Sequence, residues 1–198
     1  MNADDFRAGL TESIEALARL RDDAAQLQRL ERLVSRCVEA LSAGNKILFA
    51  GNGGSAADAQ HWAAELVSRF NYDRPGLAAI ALTVDTSALT AIGNDYGYAY
   101  TFARQVEALG RAGDVLVALS TSGNSENVLR ALQAARERGV FAAGFTGRAG
   151  GKMAEHCELL LRAPSDRTPV IQECHAALGH LLCAAIEQRL FPRPEPRA

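Results

Sequence analysis

Two short stretches of this 198-residue chain carry side chains with the types and spacing for proton transfer. His61 and Glu65 stand at i and i+4. On a helix that spacing puts them on one face, about 6 Å apart along the axis. The run TPVIQECHAALGH, residues 168–180, adds Gln172, Glu173, His175 and His180. On a helical wheel Glu173 and His180, at i and i+7, share a stripe more closely than Gln172 and His180, so spacing alone nominates Glu173. His175 is turned well away from His180. An imidazole and a carboxylate suit acid–base work. Each residue taken singly also fits a plainer role, as a surface ion pair or a core histidine bonded to the backbone. What favours chemistry for His61 and Glu65 is position, one or two turns beyond a glycine-rich turn.

That turn, GNGGSA at residues 51–56, and a second one, STSGNS at 120–125, each leave a strand-like run and enter a helix-like one. Ser120, Thr121, Ser122 and Ser125 surround Gly123. Unpaired N–H groups at a helix N-terminus carry partial positive charge, so a phosphate fits such a turn without a lysine. Serines there can equally be helix caps. No G-K-[ST] follows, which excludes a Walker A loop. Gly51, Gly53 and Ala56 satisfy G-x-G-x-x-A, but the acidic residue of a dinucleotide site belongs about 20 positions on, at the end of the second strand. Asp85 lies about 30 on, beyond that strand. A dinucleotide reading is therefore disfavoured.

The elements that must position these residues follow from periodicity. Apolar residues at three- and four-residue steps (Ile14, Leu17, Leu20, Leu27, Leu30, Leu33, Val34, Cys37, Val38, Leu41) predict helix over 5–43, with a break at Asp22-Asp23. Such a long stripe needs a cover, and another subunit supplies one. Short apolar runs at 46–50, 77–82, 114–120, 140–146 and 157–163 predict strands. Helical patterns fill 54–69, 86–92, 98–109, 125–138, a turn near 150–155, and 168–190. Alternating strands and helices mean an α/β three-layer fold with a mostly parallel five-stranded sheet. In such a sheet ligands gather at the carboxyl ends of the strands, where both turns fall. We read 1–43 as a helical oligomerisation segment, 44–192 as the α/β domain and 193–198 as a flexible tail.

A net charge of −2 makes no case for nucleic acid or an anionic membrane. The start MNADDFRAGL has no apolar core of a signal peptide, and no apolar run approaches the ~20 residues of a membrane span. Four cysteines show no metal or redox spacing and read as reduced, mostly buried thiols. A cytoplasmic protein is expected.

GNGGSAADAQH, AIGNDYGY at 91–98, STSGNS, GFTGRAGG at 144–151 and IQECHAALGH together resemble the sugar isomerase (SIS) family, in order and over nearly the whole chain. The resemblance implies a flavodoxin-like SIS domain in a homotetramer that isomerises D-sedoheptulose 7-phosphate to D-glycero-D-manno-heptose 7-phosphate for bacterial surface polysaccharide such as lipopolysaccharide. It implies substrate contacts from Asn52, Gly53, Gly54, Asn94, Asp95, Glu65 and Gln172, and phosphate contacts from Ser120, Thr121, Ser122 and Ser125. It places His61, Glu65, Gln172 and His180 at the chemical centre, with Glu65 and His180 as base and acid in one order or the other. One zinc ion per subunit, held by those four residues, is also implied, and here the family selects Gln172 over Glu173. The alternative is a non-catalytic SIS-domain partner of the DnaA replication initiator. Such a partner is expected to lack Glu65 and His180, which this chain keeps together.

Overall fold

The computed structural model describes residues 1–193. The rest of the segment read as a tail, 194–198, lies outside the described residues. Two N-terminal helices, α1 (Ala3–Arg21) and α2 (Ala24–Ser42), break at Asp22-Asp23, as the sequence predicts. Asn2 and Asp23 cap them by accepting first-turn N–H bonds. Then come β1 (Ile47–Gly51), α3 (Gly54–Val67), β2 (Ala79–Ala81), α4 (Thr86–Asp95), α5 (Ala103–Leu109), β3 (Val115–Leu119), α6 (Glu126–Glu137), β4 (Phe141–Thr146), α7 (Met153–His156), β5 (Leu159–Arg162) and α8 (Thr168–Leu190).

The five strands form one sheet in the order β2-β1-β3-β4-β5, every pair parallel. β1 and β3 are buried at every position, which is why they read as unbroken apolar runs rather than alternating ones. Their side chains still alternate in direction. Ile47, Phe49, Val115 and Val117 join the core under α1, α2, α3 and α8, whereas Leu48, Ala50, Leu116 and Ala118 join the core under α5 and α6. Three layers result. The chain leaves β1 and β3 side by side, since Gly51 pairs with Leu119, and its crossovers diverge there. That crevice is the expected ligand position.

Two expectations are corrected in detail. The helix read over 98–109 is a 3₁₀ turn at Tyr98–Tyr100, entered from Gly97 at positive φ and closed by the N–H groups of Tyr100 and Thr101 on the carbonyls of Gly97 and Tyr98, followed by α5. The strand read over 77–82 shortens to three residues: β2 is the sheet edge, and Leu77 donates instead to the carbonyl of Leu66 at the end of α3.

Part of the outer surface is apolar. On α1, Phe6 is 56% exposed and Leu10 and Ile14 are each 66% exposed, while only Ala16 and Leu20 are buried. No residue of α4 is buried. Among the described residues no helix is long and apolar enough to cross a membrane. Cys37, Cys174 and Cys183 are buried and Cys157 half-buried, all unpaired; burial pushes the Cys157 and Cys183 thiols up to about 12.

Candidate active site

The centre starts from how closely α3 and α8 can approach. A Cβ on Gly179 would lie 1.9 Å from the ring of the fully buried Trp62, so only glycine lets that indole seat against α8. The next residue on α8 is His180 and the preceding residue on α3 is His61. The crossing therefore brings their Nε2 atoms to 3.0 Å across 119 residues of sequence. Glu65, one turn along α3, places Oε1 3.4 Å from His61 Nε2. Nearer the glycine turn, a Cβ on Gly54 would meet the Gln172 amide at 2.5 Å. Gln172, not Glu173, thus faces the turn, and Glu173 is exposed. The wheel argument fails because it compares directions within one helix and ignores what the helix faces.

Asp58 is a carboxyl that sequence reasoning missed. Burial pushes its pKa up, and the imidazoles of His61 and His180 pull the other way. Its signal was present, one helical turn before His61 on the same face.

The second turn begins beside the first. Ser120 Oγ lies 2.9 Å from Ser125 Oγ and 3.4 Å from Ser122 Oγ, so three hydroxyls converge. Ser125 is the N-cap residue of α6 but makes no side-chain capping bond. Its hydroxyl turns into the hydroxyl cluster, which sets the capping explanation aside and leaves the first-turn amides uncapped for an anion. The GFTGRAGG run and the two residues after it brace this turn. The Gly147 N–H donates to the Thr121 carbonyl at 3.0 Å and the Met153 N–H to the Gly123 carbonyl at 3.0 Å. The Lys152 N–H donates to Asn124 Oδ1, also at 3.0 Å.

Asn52 links the two turns. Its amide exchanges hydrogen bonds with the amide of Asn127 at 2.8 and 2.9 Å, and its Oδ1 also accepts from the Tyr98 hydroxyl at 2.9 Å. Asn127 is 3% exposed and was not foreseen; nothing in its spacing distinguishes it from an ordinary first-turn residue of α6. Gly53 opens α3 at φ 57° and stays exposed. Asn94 and Asp95 are exposed at the end of α4 and bond each other at 2.8 Å. No hydrogen bond among the described residues joins them to the other candidates, although Tyr98, a few residues on, reaches Asn52.

As they stand, no three His, Cys, Asp or Glu side chains among the described residues form a group that could hold a metal. The donor types nevertheless suit one, and two of the contacts fall near the edge length of such a site. Two ligand atoms about 2.0–2.1 Å from a tetrahedral zinc lie about 3.3 Å from each other. His61 Nε2 stands 3.0 Å from His180 Nε2 and 3.4 Å from Glu65 Oε1, so displacements of a few tenths of an ångström would convert the direct contacts into ligand edges. Two imidazoles and a carboxylate are also the donors zinc prefers.

A five-stranded parallel sheet with helices on both faces and an open hydroxyl turn at its carboxyl edge defines an α/β protein with a ligand site at the sheet's switch point. Residues 10–147 match the model of the SIS domain, and the chain belongs to that family. Over 190 residues it is 57% identical to a phosphoheptose isomerase of Bradyrhizobium sp. (strain BTAi1), with 96% of each chain covered. Over 188 residues it is 50% identical to the phosphoheptose isomerase of Aneurinibacillus thermoaerophilus, with 95% of each covered. The solved phosphoheptose isomerase of Neisseria gonorrhoeae superposes with a TM-score of 0.88 at 47% identity, covering 93% of this chain and 98% of that one.

Proposed function

We propose that the chain is an aldose–ketose isomerase converting D-sedoheptulose 7-phosphate into D-glycero-D-manno-heptose 7-phosphate, a step of bacterial heptose synthesis. One observation carries the reading. His61, Glu65 and His180 meet where α3 crosses α8, two helices that start from the carboxyl edge of the sheet, and an uncapped hydroxyl turn leaves that same edge. Ser120, Thr121, Ser122 and Ser125 hold the phosphate, and Asn52, Gly53, Gly54 and Gln172 line the sugar chain. Asn94 and Asp95, at the exposed end of α4, complete the substrate contacts.

Moving the carbonyl from C2 to C1 removes a proton from C1, passes through an enediol(ate) and returns a proton to C2. Glu65 and His180 serve as base and acid for these transfers. Both are held on helices rather than loops, which favours a fixed geometry. A zinc ion held by His61, Glu65, Gln172 and His180 would supply Lewis-acid polarisation of the carbonyl. The neutral Gln172 amide is the weakest of the four donors, which fits a labile ion better than a structural one. Apolar α1 and unburied α4 are the faces that other copies cover in a homotetramer. A cytoplasmic location follows from a sugar-phosphate substrate.

The test is conversion of sedoheptulose 7-phosphate to an aldose phosphate, followed by proton NMR, with and without chelator and added zinc. Glu65→Gln is expected to lower kcat by about 10²–10⁴-fold while substrate still binds. Full activity in that variant would sink the assignment. Activity that ignores a strong chelator would remove the zinc and leave the acid–base roles standing.

A further inference from the structure

The end of α3 is tied to α8 by an ion pair that the isomerase reading does not use. Arg74 Nε lies 3.1 Å from Glu187 Oε1, and the two side chains are 2% and 0% exposed. Every arm of the pair is engaged. Glu187 accepts the N–H of Phe70 at 2.9 Å and of Asn71 at 2.7 Å. Arg74 donates to the carbonyls of Leu66 at 2.6 Å, Ser68 at 3.0 Å, Pro75 at 3.1 Å and Glu65 at 2.8 Å. The last turn of a helix leaves carbonyls without intrahelical donors and carries partial negative charge, so a buried guanidinium is a strong terminal partner there. Burial pushes the Glu187 carboxyl up, yet the Phe70 and Asn71 N–H bonds and the Arg74 charge outweigh this and hold it below the ordinary carboxylate range.

Two consequences converge on the chemical centre. One of the anchored carbonyls belongs to Glu65 itself, so the backbone that aims its carboxylate is fixed by Arg74. The other runs through Phe70, whose N–H is held by Glu187 and whose ring lies 5.8 Å from the His180 ring, tilted by 33°. Glu187 stands two turns beyond His180 on the same stripe of α8. Stability alone gives little reason for such a pair, since a buried ion pair is often no better than apolar residues of similar volume.

We propose that Arg74 and Glu187 are positioning residues for the isomerisation: together they fix the backbone of Glu65 and, through Phe70, the ring of His180. The proposal rests on the isomerase reading for its kinetic consequence but not for its geometry.

The test uses the full-length protein and two variants, Glu187→Gln and Phe70→Leu. Each is measured for melting temperature, for kcat and KM separately, and for the ring resonances of His180, assigned by their loss in His180→Gln. Glu187→Gln keeps the side-chain volume and removes the charge; in folded protein kcat is expected to fall about tenfold or more, with KM within about twofold. Phe70→Leu leaves the ion pair in place; the His180 resonances are expected to shift, and kcat to fall about threefold, without a matching loss of melting temperature. If Glu187→Gln does not fold, Arg74→Lys is measured in its place, with the same expected fall in kcat; it keeps a charge beside Glu187 but loses the guanidinium's bonds to the carbonyls of Leu66 and Glu65. Phe70→Leu then tests the ring contact with His180. Unchanged His180 resonances and unchanged kcat in folded variants, or a change in melting temperature alone, would overturn the proposal and leave the pair purely structural. Should the wild type fail to isomerise the sugar phosphate, the functional reading falls, and the His180 resonances still decide whether the pair positions that ring.

Discussion

The turn at 120–125 and the crossing of α3 with α8 are assembled differently. The turn draws on consecutive residues, with Ser120, Ser122 and Ser125 meeting within a few ångströms and backbone bonds from Gly147 and Met153 behind them. The crossing joins His61 to His180 over 119 residues, and its geometry depends on an indole packed into the space of one missing side chain. A hydroxyl turn tolerates small shifts because phosphate oxygens accept from many directions. Proton transfer does not, since a misplacement of about 1 Å can cost about 10²-fold in rate. On the proposed roles, the grip is local and polar and the chemistry rests on core packing.

The change that separates the two most sharply is Gly179→Ala. The added methyl would fall 1.9 Å from Trp62 Cε2 and 2.2 Å from Cζ2, in a ring with no exposed surface to yield into. Overpacking ordinarily costs about 1–3 kcal/mol, and a direct ring clash belongs at or beyond the top of that range. We expect a melting temperature lower by about 6–12 °C for a domain of this size. In the protein that stays folded, kcat should fall about 10²-fold. Calorimetric titration with a sugar phosphate should still detect binding, because the 120–125 turn is untouched. Loss of binding in step with loss of turnover would show that the two regions are not separable.

The same contrast explains what could be read in advance. Strands and helices were legible because core burial writes a period into the sequence, and α8 was read with its observed bounds. The hydroxyl turn was legible as a unit because its parts are contiguous. His61 and Glu65 were legible as a pair through helical spacing. Their partnership with His180 came only from the family resemblance, because the Trp62–Gly179 contact that creates it leaves no periodic trace. Gln172 shows the limit most clearly. Wheel geometry favoured Glu173, the family resemblance favoured Gln172, and the reason for the latter is the close approach of Gly54. Asn127 and the Arg74–Glu187 pair escaped notice because isolated polar residues carry no pattern of their own.

His175 connects the two regions, and it predicts a pH dependence of intermediate size. It is fully buried on α8, five residues before His180, and its Nε2–H donates at 3.1 Å to the carbonyl of Thr146, at the end of the strand behind the phosphate turn. Burial lowers its pKa from 6.5 to about 4, with the Thr146 bond opposing. The folded protein therefore binds fewer protons than the unfolded chain once pH drops below the ordinary histidine range. This contribution to stability is fully present above pH 6.5 and is lost as pH falls toward 4, at up to about 1.4 kcal/mol per unit, or about 2 kcal/mol by pH 5. Urea midpoints at pH 7.5 and pH 5 should differ accordingly, and His175→Gln should remove most of the difference. An equal difference in the variant would assign the effect to the exposed histidines instead.

The smallest expected effect tests the phosphate side. Replacing an N-cap serine by alanine ordinarily costs about 0.5–2 kcal/mol of stability, through loss of the capping bond. Ser125 makes no such bond, since its hydroxyl lies 2.9 Å from Ser120 Oγ within the hydroxyl cluster. Ser125→Ala should therefore leave the melting temperature almost unchanged. A hydrogen bond to a charged group is worth about 1.5–3 kcal/mol, so KM for the sugar phosphate should rise about tenfold or more. The phosphate is remote from C1 and C2, and its grip is the same in ground and transition states, so kcat should stay within about threefold. A lower melting temperature with unchanged KM would reverse the assignment and make Ser125 a cap. A drop in kcat at constant KM would mean that the turn steers the reacting carbons as well as holding the phosphate, and the division of labour between the two regions would have to be redrawn.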